Sequence, residues 1–468
     1  MSGSGEAARP RTALRRALLP LALAQFICSF AGSNMNVAIN SISKDLGTNV
    51  QGVQTAITLF LLTMAALMIP GSKLTDIFGR KRCFQVGLAI YGAGAFLAAL
   101  AQGLPLLILG YSAFEGVGSA LLIPPVYILT TILYPDIKSR ARAFGVISGL
   151  GGIGAAAGPL IGGLITTAVS WRASFILQAI VVAAILYLAR RIVDPIPADR
   201  TRPFDVSGAI FSAVAMTFVV VGILQAQNSL LLMLVLLAVG GALFGWLALH
   251  VRSLERNGKE PLLSSRLFQN RTSNLGLVTQ NVQWLMLLGT SFTVSVYLQV
   301  VRGYNAIQTG LVFTAATLGI LVSSALAERW ANRYAQRTLV ITGFGITLTG
   351  IVMLLAFVAA WSSVLAFIPG LLFIGLGEGI MLTPSVNVVQ SSFPEALQGE
   401  ISGLSRSVSN LGSSLGTAIA GTILVSDLAQ GDRTYALAIL ALAVAGLIGI
   451  SAGLLLPSKL VTAERSAA

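Results

Sequence analysis

The 468-residue chain is 55% hydrophobic and only 10% charged, with a mean hydropathy of +0.84. Soluble globular domains carry about 25% charge, so a soluble enzyme or binding module is excluded and a polytopic membrane protein is indicated. The formal charge of +13 could suggest a nucleic-acid partner, but the cations lie in short segments between apolar runs, where membrane orientation puts them, and no nucleic acid is expected.

The N-terminal tail, 1–16, carries Arg9, Arg11, Arg15 and Arg16 and leads into an apolar run from Ala17 to about Ile42. That run is too long for a cleaved signal sequence and reads as a retained first helix. Hydropathy places further helices near 53–72, 83–102, 105–133, 141–168, 172–189, 206–226, 229–249, 272–301, 306–327, 338–360, 363–391, 400–426 and 434–456, fourteen spans in all. With the N-terminus inside, cytoplasmic segments hold 25 of the 30 cations. The outer loops hold only Lys44, Arg172, Arg302 and Arg433, and both termini are therefore expected in the cytoplasm. Cys28 and Cys83 fall on different elements, so no disulfide is expected.

The chain repeats itself. Phe114, Gly116, Gly118 and Pro125 in helix 4 recur at the same spacing as Phe373, Gly375, Gly377 and Pro384 in helix 12. The Gly145-Val-Ile-Ser-Gly-Leu string that opens helix 5 recurs as Gly399-Glu-Ile-Ser-Gly-Leu in helix 13, and Gly158 and Gly162 are matched by Gly412 and Gly416. The reading is an all-α membrane protein with six-helix bundles over 17–200 and 266–458. Two extra helices and their linkers occupy 201–265, and a C-terminal tail occupies 459–468. A parallel repeat about an axis along the membrane normal is one architecture of secondary transporters.

The most polar interhelical stretch runs from Gly71 to Arg82, with Lys73, Asp76, Gly79, Arg80 and Lys81 in it. The pattern Gly-x-Lys-x-x-Asp-x-x-Gly-Arg-Lys resembles the signature loop of major facilitator superfamily transporters. In helix 5, Gly154, Gly158, Pro159, Gly162 and Gly163 form a small-residue string that lets a neighbour approach closely, while Pro159 favours a bend. That string resembles the helix 5 motif of the superfamily's antiporters. Asn36-Val-Ala, Trp171-Arg172, Asp205-Val-Ser-Gly208, Tyr297-Leu-Gln299 and Gln308-Thr-Gly310 extend the resemblance, over about residues 30 to 460, to the fourteen-helix drug:proton antiporters. The resemblance implies the major facilitator fold, a cell-membrane location and export of amphipathic, often cationic, compounds in exchange for protons. A monomer without cofactor or metal is expected, its partners being a small amphipathic substrate, the proton and the bilayer. It also implies that Asp76 latches against helix 13, with Arg140 or Arg142 completing the network, and that the helix 5 glycines form a pliable seam between the bundles. An exporter of a lipid or an endogenous metabolite, possible without proton coupling, is the alternative.

Two departures bear on coupling. Ala31 stands where the family has an acid in helix 1, and Ser112 and Glu115 stand where its helix 4 has Arg and Gln. The only carboxylates deep in predicted helices are Glu115 and Glu378. An acid at mid-membrane costs roughly 2–4 kcal/mol or more and is a functional candidate. By the repeat they sit one turn apart on equivalent helices and are expected to face each other across a central cavity, as protonation sites or as structural hydrogen bonds. Arg406 is the cation furthest inside a helix. Pairing with Glu378, contact with an anionic substrate and snorkelling are all open to it. Asn34 and Gln283 join Glu115, Glu378 and Arg406 as candidates for the proton and substrate site. No enzyme is indicated. The single histidine, His250, ends a helix, and there is neither a phosphate-binding loop nor a Cys/His cluster.

Overall fold

A computed structural model describes residues 11–458, apart from 135–136, 195–196, 227, 332, 361–362, 395–396 and 426–431. Its long helices are α1 (Arg11–Asn34), α2 (Val50–Phe78), α3 (Arg80–Ala99), α4 (Gly116–Leu133), α5 (Ile137–Ala168), α6 (Trp171–Ala189) and α7 (Val206–Leu224). They continue with α8 (Leu230–Arg256), α9 (Arg271–Val296), α10 (Ala306–Ala331), α11 (Gln336–Ala360), α12 (Phe367–Gln390), α13 (Gln398–Val425) and α14 (Asp432–Leu455). Side-chain caps set several starts: Asn49, Ser170, Asp205, Ser229 and Asn270 each accept a hydrogen bond from a first-turn amide. No strand occurs among the described residues.

Twelve helical spans are long and apolar enough to cross a membrane, and α5, taken across its bend, would make thirteen. The bend is 42° and falls between Ala143–Ala155 and Ala157–Ala168. Pro159 explains its place, because it lacks the N–H that would bond the Ala155 carbonyl one turn back. Helix α13 is not among these spans, and its buried residues include Ser402, Ser405, Ser407, Ser409, Ser413, Ser414 and Thr417.

The Gly71–Arg82 stretch is not the turn that its polarity predicts. Helix α2 runs on to Phe78, α3 begins at Arg80, and Gly79 alone reverses the chain at φ +90°. A glycine is needed there because an L side chain is strained at that φ. The charges can stay helical because Lys73, Asp76, Arg80 and Lys81 all have partners.

Packing divides the helices. In one group α1 lies on α5, α2 on α4, and α3 on α4 and α6. In the other, α9 lies on α13 and α14, α10 on α12, and α11 on α12 and α14. The groups meet along α2 with α13 and α5 with α10. Helix α7 rests over the α2–α13 line, and α8 packs chiefly on α7 and is almost wholly exposed.

Candidate functional site

Where the two groups meet lies a central cavity of about 50 Å³, lined among others by Gln25, Cys28, Met64, Met68, Trp284 and Arg406. It has room for a few water molecules, whereas drug-sized ligands occupy pockets of about 300–1,000 Å³. Arg406 does not snorkel. It is 8% exposed, and its guanidinium carbon lies 4.3 Å above the ring of Tyr127 on α4, across the interface from its own helix. The Tyr127 hydroxyl donates to Gln25 Oε1 at 3.1 Å, and Gln25 Nε2 donates to Ser29 Oγ at 3.2 Å. Cys28 Sγ donates to Ser119 Oγ at 3.4 Å.

The α2–α13 contact is a polar zipper in one antiparallel register. Gln54 Nε2 donates to the Thr417 carbonyl at 3.3 Å, Ser414 Oγ to Thr58 at 3.1 Å, Ser407 Oγ to Ala65 at 2.5 Å, and Ser72 Oγ to Gly399 at 2.8 Å. Every acceptor is a main-chain carbonyl, which hydroxyl and amide donors reach only when the backbones are close. At the basic end the zipper finishes in an ion pair, Lys73 Nζ to Glu400 Oε1 at 3.0 Å. Glu400 Oε2 also accepts from the Ser264 amide at 3.0 Å, so one carboxylate joins α2, α13 and the linker after α8.

Asp76 lies beside this pair. Its Oδ1 accepts from Arg80 at 2.7 Å, its Oδ2 is 3.7 Å from Arg202, and a side chain built at Gly399 would come within 3.8 Å of it. It therefore stands against the first turn of α13, where a negative charge is favoured by the helix dipole. The amides of Arg80 and Lys81 donate to Asp194 Oδ2 at 2.8 and 3.3 Å, and Lys81 Nζ donates to the Arg190 carbonyl at 2.9 Å. Gly71 lies against the Ala120 carbonyl of α4, where any side chain would collide. The Arg140 and Arg142 side chains lie outside the described residues.

The opposite end is also shut. Gln299 Nε2 and Ser295 Oγ donate to the Asn36 carbonyl at 2.8 and 2.6 Å, and the Asn40 amide donates to Gln299 Oε1 at 3.1 Å. The Ile307 amide donates to Thr167 Oγ1 at 3.1 Å. The helix 5 string supplies close approach on two faces. Gly154, Gly158 and Gly162 press on Phe26, Ser33 and Asn34 of α1, while Gly163 and Pro159 abut Ala306 and Gly310 of α10.

Glu115 and Glu378 are 0% exposed, and neither lines the central cavity. The expectation that they face each other across it differs from the structure. Each points into its own helix group, because the helix face that carries it packs on sister helices. Glu115 closes a π-helical stretch, Ile108–Glu115, and Glu378 is followed by Gly379, pressed on α10. Tyr91 lies beside the Glu115 carboxyl and Gln283 beside that of Glu378, but no carboxyl oxygen of either has a partner in good hydrogen-bond geometry among the described residues. Gln283 Nε2 donates to the Glu378 main-chain carbonyl at 3.5 Å, and its Oε1 accepts from Ser385 at 2.8 Å. Asn34 packs against Gly162 with its Nδ2 unpartnered among the described residues.

Sequence reasoning did not single out Glu400, Ser264, Ser407, Ser414 or Tyr127. A signal was available for three of them. Gly403, Ser407, Ser414 and Thr417 follow Glu400 at steps of three, four, seven and three residues, one helix face of small and polar residues that suits a close neighbour. Nothing in the sequence points to Tyr127.

The model of the Major Facilitator Superfamily matches residues 21–417. The chain is 27% identical over 415 residues to the multidrug resistance protein Stp of Mycobacterium tuberculosis (strain CDC 1551 / Oshkosh), covering 87% of this chain and 75% of that protein. It is 28% identical over 468 residues to the cephamycin export protein CmcT of Amycolatopsis lactamdurans, covering 95% and 93%. The puromycin resistance protein pur8 of Streptomyces alboniger is 28% identical over 417 residues, covering 87% and 81%. Among solved structures, the peptide transporter POT in complex with sulfate superposes with a TM-score of 0.66 at 16% identity, covering 96% of this chain and 95% of that one. That likeness speaks for the fold.

Proposed function

Because the chain belongs to the Major Facilitator Superfamily, a multi-pass cell-membrane transporter and not an enzyme, we propose that it exports amphipathic compounds in exchange for protons by alternating access. In this reading the moving bodies are six-helix bundles over 17–200 and 266–458, and 201–265 holds two added spans. Fourteen helices cross the membrane, α13 among them despite its polarity, since its polar face is spent on neighbours. Both termini and the basic end face the cytoplasm. Efflux is supported by relatives that carry the names of multidrug, cephamycin and puromycin resistance or export proteins.

The observation that carries the mechanism is the pair of closures around one cavity. The Lys73–Glu400 and Ser72–Gly399 contacts bar one end, and Asn36, Asn40 and Gln299 bar the other. Each closure is a few hydrogen bonds, so each can open at a cost of a few kcal/mol while the other holds. Asp76 serves the cytoplasmic closure as a latch, and the glycines of α5 serve as the seam on which the bundles rock. At least one of Glu115 and Glu378 is the proton site. A bare carboxylate in a dry interior is costly, so a buried acid is favoured in its neutral form in this closed arrangement, and release of its proton requires a rearrangement within its own helix group that brings water to it. The supply is adequate: at ~2.3 kcal/mol per charge per 100 mV, a proton-motive force near ~150 mV sustains a gradient of a few hundredfold per proton for a neutral substrate.

Ala31 and Ser112, in place of the family's acid and Arg, favour a second reading, export of a lipid or metabolite without proton coupling. Uptake of an amphipathic dye into inverted vesicles with and without a pH gradient separates the two. Gradient-driven uptake that Glu115→Gln or Glu378→Gln abolishes supports the first. Uptake indifferent to the gradient overturns it.

A further inference from the structure

We infer that the central cavity is an anion subsite, in which Arg406 holds a carboxylate, sulfonate or phosphate on an otherwise apolar and aromatic ligand. The inference rests on the export reading above for its setting and names the class of compound the site accepts.

Three observations converge. Arg406 is the sole charged side chain among the residues that line the cavity, and no acid is among them. The charge is more than nine-tenths buried, its Nε lacks a hydrogen-bond partner, and it makes no ion pair among the described residues. Its guanidinium carbon lies 4.3 Å from the centre of the Tyr127 ring, and the side chain lines the cavity. A buried cation that is stacked and not ion-paired costs desolvation energy that the ring contact returns only in part. An anionic ligand supplies the missing partner, and the planar guanidinium suits a two-oxygen acceptor.

At about 50 Å³ the closed cavity admits the anionic group alone, and the rest of the lining is what the other end of such a ligand meets once one end opens. Leu61, Met64, Met68, Trp284 and Leu288 form an apolar wall, and methionines adapt to varied shapes. Ser409, Asn410 and Ser413 also line the cavity from α13, each donating to a carbonyl one turn back in its own helix, so Arg406 is the donor left for a ligand's anion. A permanently cationic ligand would meet like charge at close range, with no carboxylate in the lining to receive it.

The test uses three probes of one shape: 4-(1-pyrenyl)butyrate, the corresponding alcohol and the corresponding amine. Binding to the purified full chain is read by quenching of tryptophan emission, with Trp284→Phe identifying the cavity contribution. The butyrate is expected to bind roughly 10- to 100-fold more tightly than the amine, the worth of a charge-assisted hydrogen bond, with the alcohol between them. Arg406→Gln should bring the three within about threefold, while Arg406→Lys should keep the order. If Arg406→Gln does not fold, the order of the three probes on the parent protein still decides. Equal binding of the probes, preference for the amine, absence of butyrate binding, or an anion preference that survives Arg406→Gln overturns the subsite. Uptake of the butyrate into inverted vesicles tests the export reading separately. Butyrate binding that depends on Arg406, with no gradient-driven uptake, would keep the subsite and remove proton-coupled export.

Discussion

Replacing Glu400 with Gln should loosen the basic-end closure and nothing else. Glutamine keeps the shape of the side chain and can still accept from the Ser264 amide, but it leaves Lys73 without its close counter-charge. The two side chains are 10% and 21% exposed and 3.0 Å apart. Fully exposed pairs are worth about 0–1 kcal/mol, and hydrogen bonds to charged groups inside proteins about 1.5–3 kcal/mol. Lys73 keeps a weaker neighbour in Glu260, at 4.0 Å. A loss of about 1–2 kcal/mol is expected, and every 1.4 kcal/mol is tenfold, so the population open at this end should rise roughly 5- to 30-fold. Cys28 reports it, because its thiol lines the cavity while the other cysteine, Cys83, can be removed as Cys83→Ser. With a membrane-impermeant maleimide and inverted vesicles, Cys28 of Glu400→Gln should be modified roughly 5- to 30-fold faster than in the Cys83→Ser parent. Lys73→Gln should match it, and the double variant should add little, since both remove one interaction. Labelling within about twofold of the parent would refute the assignment of this pair as a closure. Acceleration only in right-side-out vesicles would refute the orientation.

The opposite closure yields the mirror result. Gln299→Ala removes two hydrogen bonds to the segment at Asn36–Asn40, and Cys28 labelling from the outer face should rise about 5- to 30-fold with little change from the inner face. Gly154→Val should destabilise the protein by about 1–3 kcal/mol through collision with the Phe26 carbonyl, whereas Gly149→Val, where a side chain meets nothing, should leave the thermal midpoint unchanged. Gly79→Ala should cost about 1–2 kcal/mol because its φ is +90°, read as a lower unfolding temperature in detergent. Asp76→Asn should cut transport while leaving folding intact, since its contacts are with Arg80, Arg202 and the start of α13; wild-type turnover would reduce it to a topogenic residue.

The sequence by itself determined the features that local composition sets. A run of about twenty apolar residues is satisfied only by burying its backbone in its own helix, so hydropathy located the long helices. The most polar of them, α13, was legible both as an apolar run near 400–426 and through its repeat of helix 5. The bend of α5 was legible too, because a proline removes a specific hydrogen bond wherever the helix lies. The length of the Gly71–Arg82 turn was not. A cluster of charges marks an aqueous boundary, but whether it coils or unwinds depends on partners such as Asp194 and Arg190, more than a hundred residues away.

The site divides along the same line. Glu115, Glu378 and Arg406 stood out singly, because an ionisable group in a membrane helix is costly anywhere. Which way each faces depends on helix rotation within the packed assembly, and periodicity within one apolar helix cannot report rotation when all its faces are apolar. Tertiary structure alone turned the two acids into their own helix groups, set Arg406 on Tyr127, and closed the cavity at both ends. Those placements are sums of contacts between residues far apart in the chain. Sequence specifies the donors and acceptors, and only packing decides which of them meet.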